Sequence, residues 1–224
     1  MQENITVKQT FYVKYAKRVW DILLSAGGLV VLAPILLVLA AAIKLDSPGP
    51  VFFRQKRVGL AKSHFEILKF RTMRIDTPKD KPTHLLENPE QWITKVGVFL
   101  RKTSLDELPQ IWNIFVGQMS VIGPRPALWN QFDLIAERDK YAANDLRPGL
   151  TGWAQINGRD ELTIEVKAAY DGAYVQRMDF IFDVRCFFGT IFSVLREDGV
   201  REGGTQNMSG QEKTEENGAK DRQN

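Results

Sequence analysis

Residues 21–44 read D-I-L-L-S-A-G-G-L-V-V-L-A-P-I-L-L-V-L-A-A-A-I-K, and from Ile22 to Ile43 no side chain carries a charge. A run of this length allows a membrane-spanning helix of roughly 20 residues. It exceeds the h-region of about 7–15 residues in a secretory signal, and Asp21 stands directly before it. A cleaved leader is therefore the weaker reading, although Ala40, Ala41 and Ala42 imitate a cleavage site. Pro34 near the middle removes a helical hydrogen bond and pushes Ala33 away from helical geometry. Each arm is then about 10–12 residues, or roughly 15–18 Å at about 1.5 Å per residue, too short to cross alone. Both flanks are basic: Lys14, Lys17 and Arg18 before, and Lys44, Arg54, Lys56 and Arg57 after. A single-pass segment carries its positive excess on one side. Symmetric flanks favour a bent hairpin that enters and leaves on the same side. A kinked spanning helix stays open, because membrane helices tolerate proline.

The charge distribution extends this reading. The formal charge of +3 on 224 residues is uneven: residues 1–73 hold eleven Lys/Arg against four Asp/Glu, a net +7, which leaves −4 for the rest. A basic front end beside an apolar run points to an anionic membrane surface rather than nucleic acid. The chain is long enough for one core plus appendages. We divide it into residues 1–48, an amphipathic segment and the membrane helix; 49–203, the folded domain; and 204–224, a tail rich in Gln, Glu, Gly and Asn that is expected to be disordered. Cys186 is the one cysteine, which fits a reducing compartment. With only His64 and His84, a multi-histidine metal site is excluded and a Ser-His-Asp triad is disfavoured.

Downstream of the apolar run, Ser47-Pro48-Gly49-Pro50 predicts a hard turn. Val51–Val58 and Phe65–Met73 follow as strands joined near Gly59–Ser63. Phe65, Ile67, Lys69 and Arg71 share one face by the period of two. Two cations on that face could hold a diphosphate, and a solvated strand face is the competing reading. Residues 74–91, with three prolines and many charges, are expected to be a loop. Then comes T-S-L-D-E-L-P-Q-I-W-N-I-F-V-G-Q-M-S-V-I-G-P-R-P, residues 103–126. Leu108, Ile111, Trp112 and Phe115 have the spacing of an amphipathic helix. Ser104 and Glu107 form a capping-box pattern; a start at Asp106 would suit Pro109 better. Either start puts Asp106 at a helix N-terminus, which favours an ionised carboxylate and attracts phosphate. An ordinary cap uses the same residues. Arg125, clamped between Pro124 and Pro126, shifts the balance toward a phosphate site.

Leu128–Tyr141 and Glu161–Arg177 are expected to be helices. Between them, R-P-G-L-T-G-W-A-Q-I-N-G-R, Arg147 to Arg159, carries three glycines that permit close backbone approach to a ligand, although such turns are commonly plain loops. In Phe180–Leu195, Phe180, Phe182, Phe187, Phe188 and Phe192 either pack in a core or meet a membrane interface, and core packing is the safer expectation.

These motifs, in this order, resemble the small monotopic phosphoglycosyl transferases of the bacterial sugar transferase family. The resemblance runs from Lys17-Arg18-Val19-Trp20-Asp21 to about Gly203. It takes in Pro34, the K-F-R-T-M run from Lys69, S-L-D-E-L, G-P-R-P and the glycine-rich run. The family breaks its membrane helix at Ser-Pro, whereas this chain has Ala33-Pro34.

The resemblance implies an α+β, mainly helical fold: a re-entrant membrane hairpin joined to a small cytoplasmic catalytic domain with a short β-hairpin and amphipathic interface helices. It implies transfer of sugar 1-phosphate from a UDP-sugar to undecaprenyl phosphate with release of UMP, as the first membrane step of polysaccharide or glycoconjugate assembly. Asp106 would be the nucleophile and a ligand of Mg2+, and Glu107 a supporting acid or base. Lys69, Arg71, Arg125 and Arg147 would contact phosphate. The expected partners are the UDP-sugar, undecaprenyl phosphate and membrane phospholipid; no nucleic acid is expected, and a homodimer stays open. The expected location is the bacterial inner membrane with the site facing the cytoplasm. A carboxylate attacking a diphosphate needs a divalent cation and fixed positive groups to overcome like-charge repulsion. A histidine-free site suits magnesium, which takes few protein ligands. A membrane-anchored binding module and a magnesium-dependent phosphohydrolase remain the alternatives. The sugar is not specified.

Overall fold

The computed structural model describes residues 5–77, 89–158 and 161–195. The expected tail, Arg159 and most of the 74–91 loop lie outside them. The fold is mainly helical α+β: one long apolar helix, α1 (Lys17–Asp46), and a small domain with two two-stranded sheets. A π-helical turn, Tyr12–Ala16, leads into α1. Instead of the two separate arms expected around Pro34, α1 is one continuous helix. Pro34 lies on its exposed face, where the ring burdens no packed interface. Among the described residues this helix alone is long and apolar enough to cross a membrane.

One stripe of α1, including Asp21, Ser25, Leu39 and Ile43, is buried against the domain, while Leu23, Val30, Val31, Leu37 and Val38 face outward. The helix is fastened at both ends. At its start, Asp21 Oδ1 accepts from the Ser120 hydroxyl at 3.0 Å and the Val121 N–H at 2.8 Å. Lys17 donates to Asp183 at 2.6 Å. Arg18 donates to the carbonyls of Ile114 and Phe115 at 2.7 and 2.9 Å. At its end, Asp46 accepts from the Val96 N–H at 3.0 Å. Leu39 and Ile43 pack with Phe70 and Leu100. Thus Lys17 and Arg18, which look like a basic membrane flank, turn inward to hold the domain.

Strands β1 (Phe52–Val58) and β2 (His64–Phe70) form an antiparallel hairpin with Phe52 opposite Phe70 and Val58 opposite His64. After α2 (Lys95–Lys102) the capping-box expectation fails. Ser104 has φ 56°, ψ 17°, with no side-chain cap bond. An N-cap needs extended geometry; Ser104 instead closes the preceding helix in the left-handed conformation. A 3₁₀ turn, Leu105–Glu107, follows, and α3 (Gln110–Phe115) starts only after Pro109. Asp106 therefore sits in a turn before α3 rather than in the helix's first turn.

The face of α3 is also reversed from expectation. Gln110, Asn113 and Ile114 are buried, whereas Trp112 and Phe115 are exposed. Asn113 explains this: its amide accepts from the Leu68 N–H at 2.9 Å and donates to the Glu66 carbonyl at 2.8 Å, completing the free edge of β2.

Strands β3 (Ser120–Ile122) and β4 (Gly149–Thr151) are parallel, with Ser120 opposite Gly149. Here the glycines of two motifs interlock. A Cβ on Gly152 would lie 2.1 Å from the Gly123 carbonyl oxygen, and one on Gly149 2.2 Å from the Gly123 nitrogen. At Gly149 and Gly152 the close approach is to the chain's own backbone, not to a ligand. Helices α4 (Phe132–Asp139), α5 (Trp153–Ile156), α6 (Ile164–Arg177) and α7 (Phe180–Leu195) complete the domain. Core packing holds for Phe182, but Phe180, Phe187, Phe188 and Phe192 are exposed, correcting the expectation for that run. A helix touching the core along one stripe leaves its other aromatics outside.

Candidate active site

Leu105 and Leu108 bracket the acid pair, and both pack against the α1–α2 core of Leu39, Ile43, Phe70 and Leu100. The leucines set the turn down on the core, and Glu107 projects toward β2 and the Pro124–Arg125–Pro126 arm. Its Oε1 accepts from Lys69 Nζ at 2.8 Å and from Arg125 Nη2 at 2.6 Å, while Oε2 accepts from Arg125 Nη1 at 3.2 Å. Arg125 thus grips the carboxylate with both prongs of its fork, the geometry a lysine cannot copy. The side chains of Glu107, Lys69 and Arg125 are 14%, 16% and 33% exposed, so the cluster is sheltered yet reachable.

The two acids differ electrostatically. Burial would push the Glu107 carboxyl up, but Arg125 and Lys69 outweigh it and hold the group well below the ordinary carboxylate range. Asp106 is pushed up, chiefly by burial; Lys69 opposes this, Glu107 adds to it, and Arg101 and Arg125 offset it in part. One acid is committed to two cations, and its neighbour keeps a carboxylate that enters no ion pair among the described residues.

Of the six residues singled out from the sequence, the structure brings together Asp106, Glu107, Lys69 and Arg125. Arg71 stands elsewhere: its guanidinium donates to the carbonyls of Pro48 and, at 2.9 Å, Ser47, buried beneath the turn that ends α1. Arg147 is at the far end of α3, with Nε donating to the Gly117 carbonyl at 3.0 Å.

Two further arginines belong to the neighbourhood. Arg57 donates to the Pro126 carbonyl at 3.1 Å and to Gln55 at 2.6 Å, and its buried Nε has no hydrogen-bond partner. Burial, with Arg125 close by, pushes it down to about 10, against the pull of Glu107. Strand alternation could have found it, since Phe53, Gln55 and Arg57 form the less exposed face of β1. Arg101 donates to the Thr72 hydroxyl at 2.9 Å and its charge acts on Asp106. No spacing in the sequence signals that pairing.

Among the described residues no group of three His, Cys, Asp or Glu gathers as a metal cage. A magnesium ion that keeps waters and shares a substrate's phosphates needs only one or two carboxylates, and Asp106 fits that requirement.

Residues 12–197 match the family model described as bacterial sugar transferase. The UDP-glucose:undecaprenyl-phosphate glucose-1-phosphate transferase of Escherichia coli K12 is 39% identical over 189 residues, covering 79% of this chain and 39% of the relative. The exopolysaccharide production protein ExoY of Rhizobium meliloti is 36% identical over 203 residues, covering 82% of this chain and 87% of the relative. The exopolysaccharide production protein PSS of Rhizobium leguminosarum bv. phaseoli is 39% identical over 193 residues, covering 80% and 94%. The chain therefore spans well under half the length of the glucose-1-phosphate transferase it matches and nearly all of the two exopolysaccharide proteins.

Proposed function

The chain belongs to the bacterial sugar transferase family, and from that premise we propose that it transfers a sugar 1-phosphate from a UDP-sugar to undecaprenyl phosphate at a membrane surface. The carrying observation is the division of labour in the acid pair: Glu107 is fixed by Lys69 and Arg125, and Asp106 beside it forms no ion pair with any described residue.

Asp106 is the nucleophile in this reading. An Asp106 carboxylate oxygen attacks the β-phosphorus of the UDP-sugar, the bond from that phosphorus to the bridging oxygen breaks, and its electron pair leaves with UMP. The phosphosugar then rests on Asp106 as an acyl phosphate. An oxygen of undecaprenyl phosphate attacks the same phosphorus and returns the carboxylate. Lys69 and Arg125 screen the diphosphate and fix Glu107 alongside it, so the electrostatic work is done before the substrate arrives. Arg57, held on the Pro126 carbonyl, adds positive potential behind Arg125. Magnesium bound through Asp106 would supply Lewis-acid neutralisation of the phosphoryl oxygens.

The membrane arrangement follows from α1. Its two ends are fastened to one domain, which supports a helix that enters and leaves on the same face. The outward apolar residues of α1, with Trp112 and Phe115 of α3 and the exposed phenylalanines of α7, supply the surface that would sit in the lipid interface. For a bacterial inner-membrane protein the domain would face the cytoplasm.

The test is a single-turnover reaction without lipid acceptor. UDP-glucose and related UDP-sugars, with magnesium, should release up to about one equivalent of UMP and leave a phosphosugar on the peptide containing Asp106. Adding undecaprenyl phosphate should discharge it. UMP release with no adduct, or an adduct elsewhere, would remove Asp106 from the role.

A further inference from the structure

A cavity of mixed polar and apolar lining lies at the opposite end of α3 from the acid pair. It holds about 620 Å³ and is lined by the chain before α1, the first turns of α1 and the residues around Arg147; Lys69, Asp106, Glu107 and Arg125 take no part in it. The six-residue α3 lies between, with Asp106 and Glu107 before its first turn, Arg18 on its last carbonyls and Arg147 on the carbonyl of Gly117 just beyond it.

The cations in this cavity are held in place by the backbone. Arg18 uses both terminal nitrogens on the carbonyls of Ile114 and Phe115, and Arg147 uses Nε on the carbonyl of Gly117. Two guanidiniums are thereby set on neighbouring carbonyls, where the negative end of a short helix accounts for part of their attraction. It does not account for the rest. Among the described residues, the terminal nitrogens of Arg147 have no protein acceptor. Lys14 also lines the cavity; it makes no ion pair with a described residue, and its ammonium lies 5.3 Å from the centre of the Tyr15 ring. Among the described residues neither carboxylate of the lining makes an ion pair with Lys14 or Arg147. Asp21 is turned to Ser120 and Val121, and Asp145 is exposed at the surface. Lys17, the remaining cation, is spent on Asp183.

We propose that Lys14 and Arg147 form a second anion site, separate from the acid pair, that takes a phosphate group. The location favours the headgroup of an anionic phospholipid as the source: the cavity opens where the polar leader passes into the apolar helix, the level at which headgroups meet an interfacial helix. Apolar walls from Val13 and Leu146 would accompany the phosphate. A free phosphate has the same chemistry and is the other source. The lipid source rests on the membrane reading above, while the site itself does not depend on the transferase reaction.

The experiment uses the full chain in neutral detergent, with retained lipid counted by native mass spectrometry. Phosphatidylglycerol and phosphatidylcholine are offered in one arm and inorganic phosphate, followed by phosphorus relaxation, in the other. Lys14→Gln and Arg147→Gln are compared with Arg54→Gln, which removes an equal charge from an exposed strand position. Phosphatidylglycerol retention should fall at least about fivefold in the first two variants and less than about twofold in the third. Lys14→Gln removes no hydrogen bond, so it stands if Arg147→Gln unfolds. Phosphate binding that depends on Lys14, with no preference for phosphatidylglycerol, would keep the site and change its source. Equal loss in all three variants, or no Lys14-dependent binding in either arm, would overturn the proposal. Because the readout is binding, a protein with no transferase activity would still report on it.

Discussion

Two arginine–carboxylate clusters meet at Arg125, and they are built for different ends. Its side chain grips Glu107 in a cluster whose members are 14–33% exposed. Its backbone carbonyl accepts from Arg138 Nη1 at 2.9 Å, and Arg138 is locked to Asp171 by bonds of 2.8 and 2.6 Å, the two being 4% and 1% exposed. The same functional groups are thus closed off on one side of the arm and left open on the other. The closed cluster ties α4 to α6 through Arg138 and Asp171, with one further bond to the Arg125 backbone. In the open one, Glu107 holds cations that remain partly exposed.

The contrast is broken most severely at Asp106. Asp106→Asn removes the proposed attacking oxygen but no ion pair, so turnover should fall at least about 10³-fold with the melting temperature nearly unchanged. Asp171→Ala should do the reverse. Stranding Arg138 in the interior costs about 3–5 kcal/mol, a loss of roughly 6–20 °C in a chain of this size, readable by thermal melting. Arg125→Lys should keep the fold and lower kcat roughly 10- to 100-fold, the worth of one charged hydrogen bond of about 1.5–3 kcal/mol; full activity would show the fork is dispensable. The smallest effect is in pH. Folding lowers the Glu107 carboxyl below its ordinary 4.5. Its stabilising contribution is therefore complete above that value and is lost as pH falls through the lower folded value. The melting-temperature advantage of wild type over Glu107→Gln, about a few degrees, should shrink as the pH drops below 4.5. A gap that widens on acidification would contradict the assignment.

Much of this arrangement was legible beforehand. The charge-free run located α1, strand alternation located the β-hairpin, and the acid pair and the proline-clamped arginine named side chains that the fold brings together. What escaped was settled by tertiary contacts. Ser104 matches a capping box by spacing, yet the end of α2 claims it in a left-handed conformation. The α3 stripe was visible as apolar, but which side turns inward depended on Asn113 meeting the edge of β2, across 45 residues of sequence. Lys69 and Arg71 share a strand face, and only the turn at Ser47–Pro48 decides that one faces Glu107 and the other supports α1. The glycines of the Arg147 run carried no mark that two of them meet Gly123 rather than a ligand.

The fastening of α1 also has a consequence in time. Asp21 waits 99 residues for Ser120, and Lys17 waits 166 for Asp183. At about 5–20 residues per second, that is roughly 5–30 s during which the ribosome has delivered the helix and not its dock. For that interval the apolar run exists without the partners that later cover its inner stripe, and the domain assembles onto a helix already made. Folding of this protein therefore begins with α1 and ends with the contacts that dock it.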